Sequence, residues 1–291
     1  MSNKILCIYH GGCADGMGAL AAVQHSLGYE NVEPFYGAYG KPPPTQEQLL
    51  RRDVVIVDFS YPKDVLNDMA KHAAAILVLD HHKTAEANLT TGGLADNIEV
   101  HFDMNRSGAR MAWDMFNKQL PPPKMLLHIE DRDLWRFNIP GTKEITAALF
   151  SYPMHYDTWY DLVINGDAES LRIEGQALLR DHKLKCSKLI ADNSYMGKVA
   201  GWDVPMINAP HFYASDIGND MCDDGLYPFA AVYSIDGECI KFSLRSVSKD
   251  QGIDVSEIAK LFGGGGHKNA AGFSVPVGTN FEVAPDAPTS P

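Results

Sequence analysis

Residues 75–85, AILVLDHHKTA, form an apolar run that stops abruptly at Asp80, His81 and His82. Apolarity without alternation is the pattern of a strand covered on both faces, as in a parallel sheet with helices above and below. Open α/β folds place their ligands at the carboxyl ends of such strands. An acid and two imidazoles at that end suit a metal or phosphate site better than a core. Taken alone, the triplet fits a helix cap with bystander histidines equally well, so other segments must decide.

Two other segments repeat the pattern. Residues 4–9 read as a short apolar strand, followed by His10-Gly11-Gly12-Cys13-Ala14-Asp15-Gly16 and an Ala- and Leu-rich helix over 17–27. Strand, glycine-rich turn and helix begin a βαβ unit. The turn carries His10, Cys13 and Asp15, all metal-ligating residue types, and its glycines let the backbone bend so that they converge. Its glycine spacing is neither a dinucleotide fingerprint nor a P-loop. Asp15 also fits the N-cap of that helix. Residues 53–59, DVVIVDF, are a second buried-strand pattern, ending on Asp58. Here an acid stands at a strand end one βαβ unit before Asp80.

Residues 98–102 predict a further strand, and 105–109 open a helix in which Ser107 is better placed to cap than to bind phosphate. In MLLHIEDRDLWRF, residues 125–137, Asp131 and Asp133 are two positions apart and do not readily share a helix face. One is expected as a ligand and the other as a partner of Arg132 or Arg136. Trp135 fits base stacking and a core role near Phe137 equally.

The second half has a different character. Residues 167–193 predict one long helix with the amphipathic spacing of a connector. Strands follow over 197–203, 205–208, 229–235 and 239–246, with a hairpin signal at Asp236-Gly237. A helix over 255–262 runs into GGGGHKNAAGF, residues 263–273. Successive N–H groups of such glycines form an anion-binding concavity, with His267 as an added donor. The tail from Val283 has a disordered composition.

A chain of 291 residues accommodates two domains, and 45% apolar with 21% charged residues is ordinary for a soluble protein. No apolar run reaches the length of a membrane span, and MSNKILCIYH lacks the features of a secretion signal, so a cytoplasmic protein is expected. Five cysteines without a CxxC pair argue against a disulfide framework and a zinc ribbon. A net charge of −12 disfavours long duplex nucleic acid. A short nucleotide at a metal site stays compatible, because bound cations reverse the local field.

HGGCADG, VVIVDF, VLDHH and IEDRD, followed by a separate GGGGHKNAAGF, closely resemble in that order the DHH phosphoesterase superfamily with a DHHA1 C-terminal domain. The resemblance covers nearly the whole chain. It implies an α/β fold with an N-terminal doubly wound parallel-sheet DHH domain over 1–166 and a connector helix over 167–193. A smaller α+β DHHA1 domain with a mixed sheet would follow over 194–283, with a disordered tail at 284–291. It also implies a cluster of divalent metals, usually Mn²⁺. His10 and Asp58 would hold the first metal, and Asp15, Asp58, His81 and Asp131 the second, with Asp58 bridging. His82 would face the scissile phosphate, and Asp80 would support the histidines. In the second domain Arg245, Gly264, Gly265, Gly266 and His267 match the family's substrate-phosphate clamp.

Cys13 departs from the family pattern, standing where the first motif usually has an acid. A thiolate suits zinc or iron better than Mn²⁺, so Co²⁺, Zn²⁺ or Fe²⁺ become alternatives, with one ion or two. The function implied is metal-dependent hydrolysis of short nucleotide phosphodiesters, dinucleotides or small 5′-phosphorylated oligonucleotides, by metal-activated water. A phosphomonoesterase on phosphoadenosine phosphate, a polyphosphate hydrolase and a non-catalytic nucleotide sensor are the alternatives. The loops at 37–44 and 209–225 would carry specificity. A monomer and a homodimer are both compatible with the family.

Overall fold

The computed structural model describes residues 4–222, 225–247 and 252–283. The expected disordered tail, 284–291, lies outside the described residues. The chain divides into two compact units, Met1–Leu179 and Arg180–Pro291. The division falls inside a 26-residue helix, Ala168–Asn193, in the place where the long connector helix was expected.

The first unit is built on a five-stranded parallel sheet. Its strands are β1 (Ile5–His10), β2 (Val32–Gly37), β3 (Asp53–Val57), β4 (Ala75–Asp80) and β5 (Ile98–Phe102), in the order β2-β1-β3-β4-β5. Successive residues serve opposite faces, as the two-residue repeat of a strand requires. Cys7, Tyr9, Val55, Val57 and Leu79 pack on one side with α1 (Ala14–Leu27), α5 (Gly108–Phe116) and α6 (Lys124–Asp133). Leu6, Ile8, Val54, Ile56, Ile76 and Val78 pack on the other with α3 (Lys63–Ala70). Both faces are covered, which is why β1, β3 and β4 read as unbroken apolar runs. The winding reverses between β1 and β3, and the carboxyl ends of an open sheet at such a point form a crevice.

Edge strand β2 was not legible. It contains Glu33 and Pro34 and buries fully only its end residues, as an edge position permits. Helices α7 (Thr142–Leu149) and α8 (Tyr156–Ile164) were also missed; they are short segments that close the first core around Trp159.

In the second unit a six-stranded mixed sheet has the order β10-β11-β9-β8-β7-β6. These strands are β6 (Tyr195–Val199), β7 (Trp202–Asn208), β8 (Ala230–Asp236), β9 (Cys239–Arg245), β10 (Gly265–His267) and β11 (Ala270–Pro276). Only β7 and β8 run parallel. The strands expected over 197–203 and 205–208 are in fact one hairpin, turning at Ala200 and Gly201 with φ of 50° and 86°. Asp236 pairs with Cys239, so the second hairpin turns through Gly237 and Glu238. One face carries α10 (Ala214–Cys222), inside the stretch expected as a specificity loop, and the other α11 (Val255–Leu261).

The four-glycine segment is not a loop. Gly263 and Gly264 donate their N–H groups to Lys260 and Ala259, closing α11, and Gly265–His267 form the edge strand β10. A side chain on Gly264 would overlap the Gly272 carbonyl, and one on Gly266, whose φ is 141°, would meet Ala270 and Ala271. Close approach of β11 therefore explains glycine at 264 and 266. Gly264→Ala is expected to cost about 1–3 kcal/mol, as overpacking does. Chemical denaturation checks this, since a flexible loop would accept the same change within about 0.5 kcal/mol.

Candidate metal centre at the carboxyl edge of the parallel sheet

Three strands deliver the chemistry. β1 ends on His10, β3 is followed by Asp58, and β4 ends on Asp80 with His81 and His82 next in the chain. Asp58 departs from the strand with φ 55°, a conformation costly for a side chain other than glycine or asparagine. Its N–H donates to the Leu79 carbonyl at 2.9 Å, which holds the bend against β4. Gly108 permits the fold there, because a side chain on it would overlap Asp58.

Asp58 lies between two imidazoles. Its Oδ2 is 3.4 Å from His10 Nδ1, and its Oδ1 is 3.0 Å from His81 Nε2. His81 Nε2 is also 3.6 Å from Asp15 Oδ2 and 3.6 Å from Asp133 Oδ2. Two donor triads result, His10–Asp58–His82 and Asp15–Asp58–His81, each with its donor atoms within 4.8 Å of one another. Donors bound to one ion at about 2.0–2.6 Å are separated by such distances. Asp58 belongs to both triads, one oxygen turned to each.

The second layer is equally defined. Asp80 Oδ1 lies 2.7 Å from His82 Nδ1 and accepts the N–H groups of His81 and His82, while its Oδ2 accepts from Ser60 Oγ. This pairing assigns the His82 proton to Nδ1 and leaves Nε2 as the basic nitrogen. Asp15 does not cap its own helix, whose N-cap position is Cys13. Instead it accepts from the N–H groups of Gly108 and Ala109, at 2.5 and 3.0 Å, at the positive end of α5. Ser107 caps that helix through Arg110 N–H, the role preferred from sequence.

Asp131 requires a correction. Its carboxylate accepts from Asn138 N–H, Ile139 N–H and the Thr142 hydroxyl at 2.8, 3.0 and 2.6 Å. It secures the turn after α6, in which Trp135 and Phe137 adopt φ of 54° and 50°. Asp133 is the acid of that segment that reaches His81. The two acids diverge as their spacing predicts, Asp131 toward the turn and Asp133 toward His81. Cys13 joins neither triad among the described residues, although its thiol feels Asp58, Asp133 and Asp15. Burial and those three acids push its pKa well up, so it stays a neutral thiol.

The electrostatics call for a cation. Burial and the charges of Asp58 and Asp133 push Asp15 well above the usual carboxylate range. Burial also raises Asp133, with His81 opposing and Asp58 adding to the rise. Asp58 moves well down despite burial, because His10 and His81 hydrogen-bond its ionised form. Burial disfavours the His81 cation, yet Asp58, Asp133 and Asp15 overcome it and raise the pKa to about 10. His10 is raised the same way, with Asp58 outweighing burial. Buried His10 Nδ1 and Asp58 Oδ2 face each other at 3.4 Å and have no closer partner among the described residues. These oxygen and nitrogen donors fit a divalent cation.

The residues expected to clamp a phosphate lie in the second unit. Arg245 and His267 both pair with Ala270, on opposite sides, so they share a cross-strand row about 10 Å long. Arg245 donates to Ser215 Oγ and the Leu244 carbonyl at 2.9 Å each, and burial lowers its pKa to about 10. Gly218 of α10 makes room for it, since a Cβ there would sit 2.7 Å from Arg245 Cγ. Among the described residues no helix is long and apolar enough to cross a membrane.

The family model of the DHHA1 domain matches residues 214–287. Uncharacterized protein R106 of Acanthamoeba polyphaga mimivirus is 28% identical over 287 residues, covering 92% of this chain. The chain spans 66% of that relative's length. Among solved structures, RecJ in complex with Mn²⁺ from Thermus thermophilus matches with a TM-score of 0.53 at 15% identity. That match covers 94% of this chain and 50% of RecJ. An exopolyphosphatase-related protein from Bacteroides fragilis matches with a TM-score of 0.51 at 17% identity, covering 95% of this chain and 88% of that one. At these identities the structural likeness concerns the fold.

Two experiments test this site. Asp133→Asn should weaken metal affinity about tenfold or more with little change in Tm, as loss of a supporting carboxylate does. Asp131→Ala should instead destabilise by about 1–3 kcal/mol through the N–H groups it orphans. Loss of metal without loss of stability in Asp131→Ala would restore Asp131 as a ligand. The second concerns protons. A raised histidine pKa stabilises the metal-free fold below the unfolded value near 6.5, and this is lost as pH rises through about 10. A cation must displace the His81 proton, so metal affinity rises over the same window. Calorimetry at about pH 7 should show release of roughly one proton or more, as buffer-dependent heat. Heats independent of the buffer would refute it.

Proposed function

We propose that this protein is a metal-dependent phosphoesterase acting on short nucleotide phosphodiesters. The observation that carries the reading is the pair of donor triads sharing Asp58 at the carboxyl ends of β1, β3 and β4. Fold relatives support it, one being RecJ in complex with Mn²⁺ and another an exopolyphosphatase-related protein. Divalent cations bound there would offset charge on the phosphoryl oxygens and lower the pKa of an attacking water.

The remaining roles belong to the protein. His10, Asp15, Asp58 and His81, with Asp133, supply the donors. Asp58 sets the spacing between the two triads because each of its oxygens serves one of them. Asp80 holds the His82 ring by Nδ1, so that Nε2 accepts a proton or faces a phosphoryl oxygen without rotating. Preorientation of this kind removes a reorganisation cost from the transition state. The hydroxyl of Ser60 fixes the other Asp80 oxygen. Mn²⁺ fits the carboxylate and imidazole donors of the two triads.

Incubating the purified protein and Mn²⁺ with a short 5′-phosphorylated oligonucleotide should release mononucleotide. Asp58→Ala should lower the rate by at least about a thousandfold, since both triads lose their shared member. Absence of turnover across a nucleotide panel with Mn²⁺, Co²⁺, Zn²⁺ and Fe²⁺ would overturn the reading.

A further inference from the structure

The metal centre has an aromatic flank that its chemistry does not use. Tyr39 stands beside the triad of His10, Asp58 and His82 with its residue surface 57% exposed. Its ring centroid is 5.8 Å from His10, 6.1 Å from His82 and 5.0 Å from Phe59. Phe59 in turn stacks on His10 at 5.9 Å and 25°. Tyr36, 53% exposed, packs edge-on against Tyr9 at 6.2 Å. Single exposed aromatics are ordinary on a protein surface. Tyr39, in the turn that follows β2, packs against both histidines of a triad, and that is a local construction.

The backbone is shaped around these rings. The Tyr36 ring occupies the space that a side chain on Gly11 would fill, and a Cβ on Gly12 would lie 3.4 Å from its hydroxyl. Gly11 N–H donates to the Gly37 carbonyl at 2.8 Å, tying the metal-binding turn to the end of β2. Tyr39 occupies the second position of a four-residue turn closed by Lys41 N–H on the Ala38 carbonyl. Gly40 has φ 76° at the third position, where a turn of this type requires glycine. A side chain on Gly37 would crowd Ile8 and Phe59. The ring is therefore carried on a fixed turn and backed by Phe59.

We propose that Tyr39 is a stacking platform for a nucleobase of the substrate, one ribose away from the phosphate that meets His10 and His82. The inference rests on the phosphoesterase reading and narrows its substrate class. An aromatic ring takes the π-face of any base, which gives affinity without sequence choice. Polyphosphate and other base-free phosphates offer nothing to stack. The platform therefore distinguishes nucleotide from inorganic substrates at the same metal centre.

The test pairs a 5′-phosphorylated dinucleotide with its abasic analogue, in which each base is replaced by hydrogen. Binding to the Mn²⁺-loaded protein and hydrolysis are measured for wild type, Tyr39→Ala, Tyr39→Leu, Tyr39→Phe and Tyr36→Ala, with metal content checked in each. Tyr39→Ala and Tyr39→Leu should raise Kd and KM for the dinucleotide roughly fivefold to a hundredfold. Their loss on the dinucleotide should exceed their loss on the abasic analogue at least about fivefold, Tyr39→Phe should remain near wild type, and Tyr36→Ala should show a smaller loss through the Gly11–Gly12 turn that its ring supports. Equal effects on both substrates, or none on either, overturn the platform while hydrolysis upholds the phosphoesterase reading. Tyr39-dependent binding of the dinucleotide without turnover upholds the platform and overturns catalysis. A wild type that neither binds nor cleaves the dinucleotide overturns both.

Discussion

The carboxylate of Asp58, gripped between His10 and His81, is the interaction on which the site depends. It is buried, carries a backbone φ of 55°, and moves well below its usual pKa only because two imidazoles hydrogen-bond its ionised form. Burying a carboxylate costs several kcal/mol unless its charge is compensated. The fold meets that cost in sequence: β3 delivers the acid, β1 and β4 deliver the imidazoles, and Gly108 clears space beside it. A sheet in another order would separate these groups. Parallel strands adjacent in the order β1-β3-β4 put three carboxyl ends side by side, about 5 Å from one strand to the next.

Asp15 and α5 extend this arrangement. Asp15 leaves the glycine-rich turn after β1 and accepts the first N–H groups of a helix far later in the chain. The helix end contributes partial positive charge, although it is not enough to hold Asp15 in the usual carboxylate range against burial, Asp58 and Asp133. That surplus of negative charge makes the edge of the sheet a cation site rather than a store of ordinary ion pairs. The same acids raise His81 to about 10, so in the metal-free protein a proton stands where a cation would be.

Legibility from sequence followed burial. Strands β1, β3 and β4 could be read because both of their faces are covered, which leaves an unbroken apolar signature and makes a terminal Asp or His conspicuous. β2 could not, because an edge strand tolerates Glu33 and Pro34 and shows no periodicity. The triplet Asp80-His81-His82 was legible as a site, and Asp80 supports the histidine ring as the resemblance implied. Asp131 and Asp133 mark the limit. Spacing showed that they diverge, but only the fold shows which one turns back to pin Asn138 and Ile139. The four glycines mark a related limit: close packing against β11 and exposure of N–H groups to an anion demand the same residue. The loop at 37–44 was marked for specificity, but Tyr39 was not singled out within it, since an aromatic in a Gly- and Pro-rich loop is distinguishable only by what it touches.

Cys13 takes on a different meaning once Asp133 is recognised. From sequence, a cysteine where an acid is usual appeared to subtract charge from the first metal. In the structure Asp15, Asp58 and Asp133 already crowd the site closely enough to raise two of their own number and to keep the thiol protonated. A carboxylate at position 13 would add a fourth negative group to that cluster and deepen the repulsion in the metal-free state. A neutral thiol keeps that state tractable while the two triads retain all their oxygen and nitrogen donors. Cys13 thus adds no further charge to the metal-free cluster around Asp58.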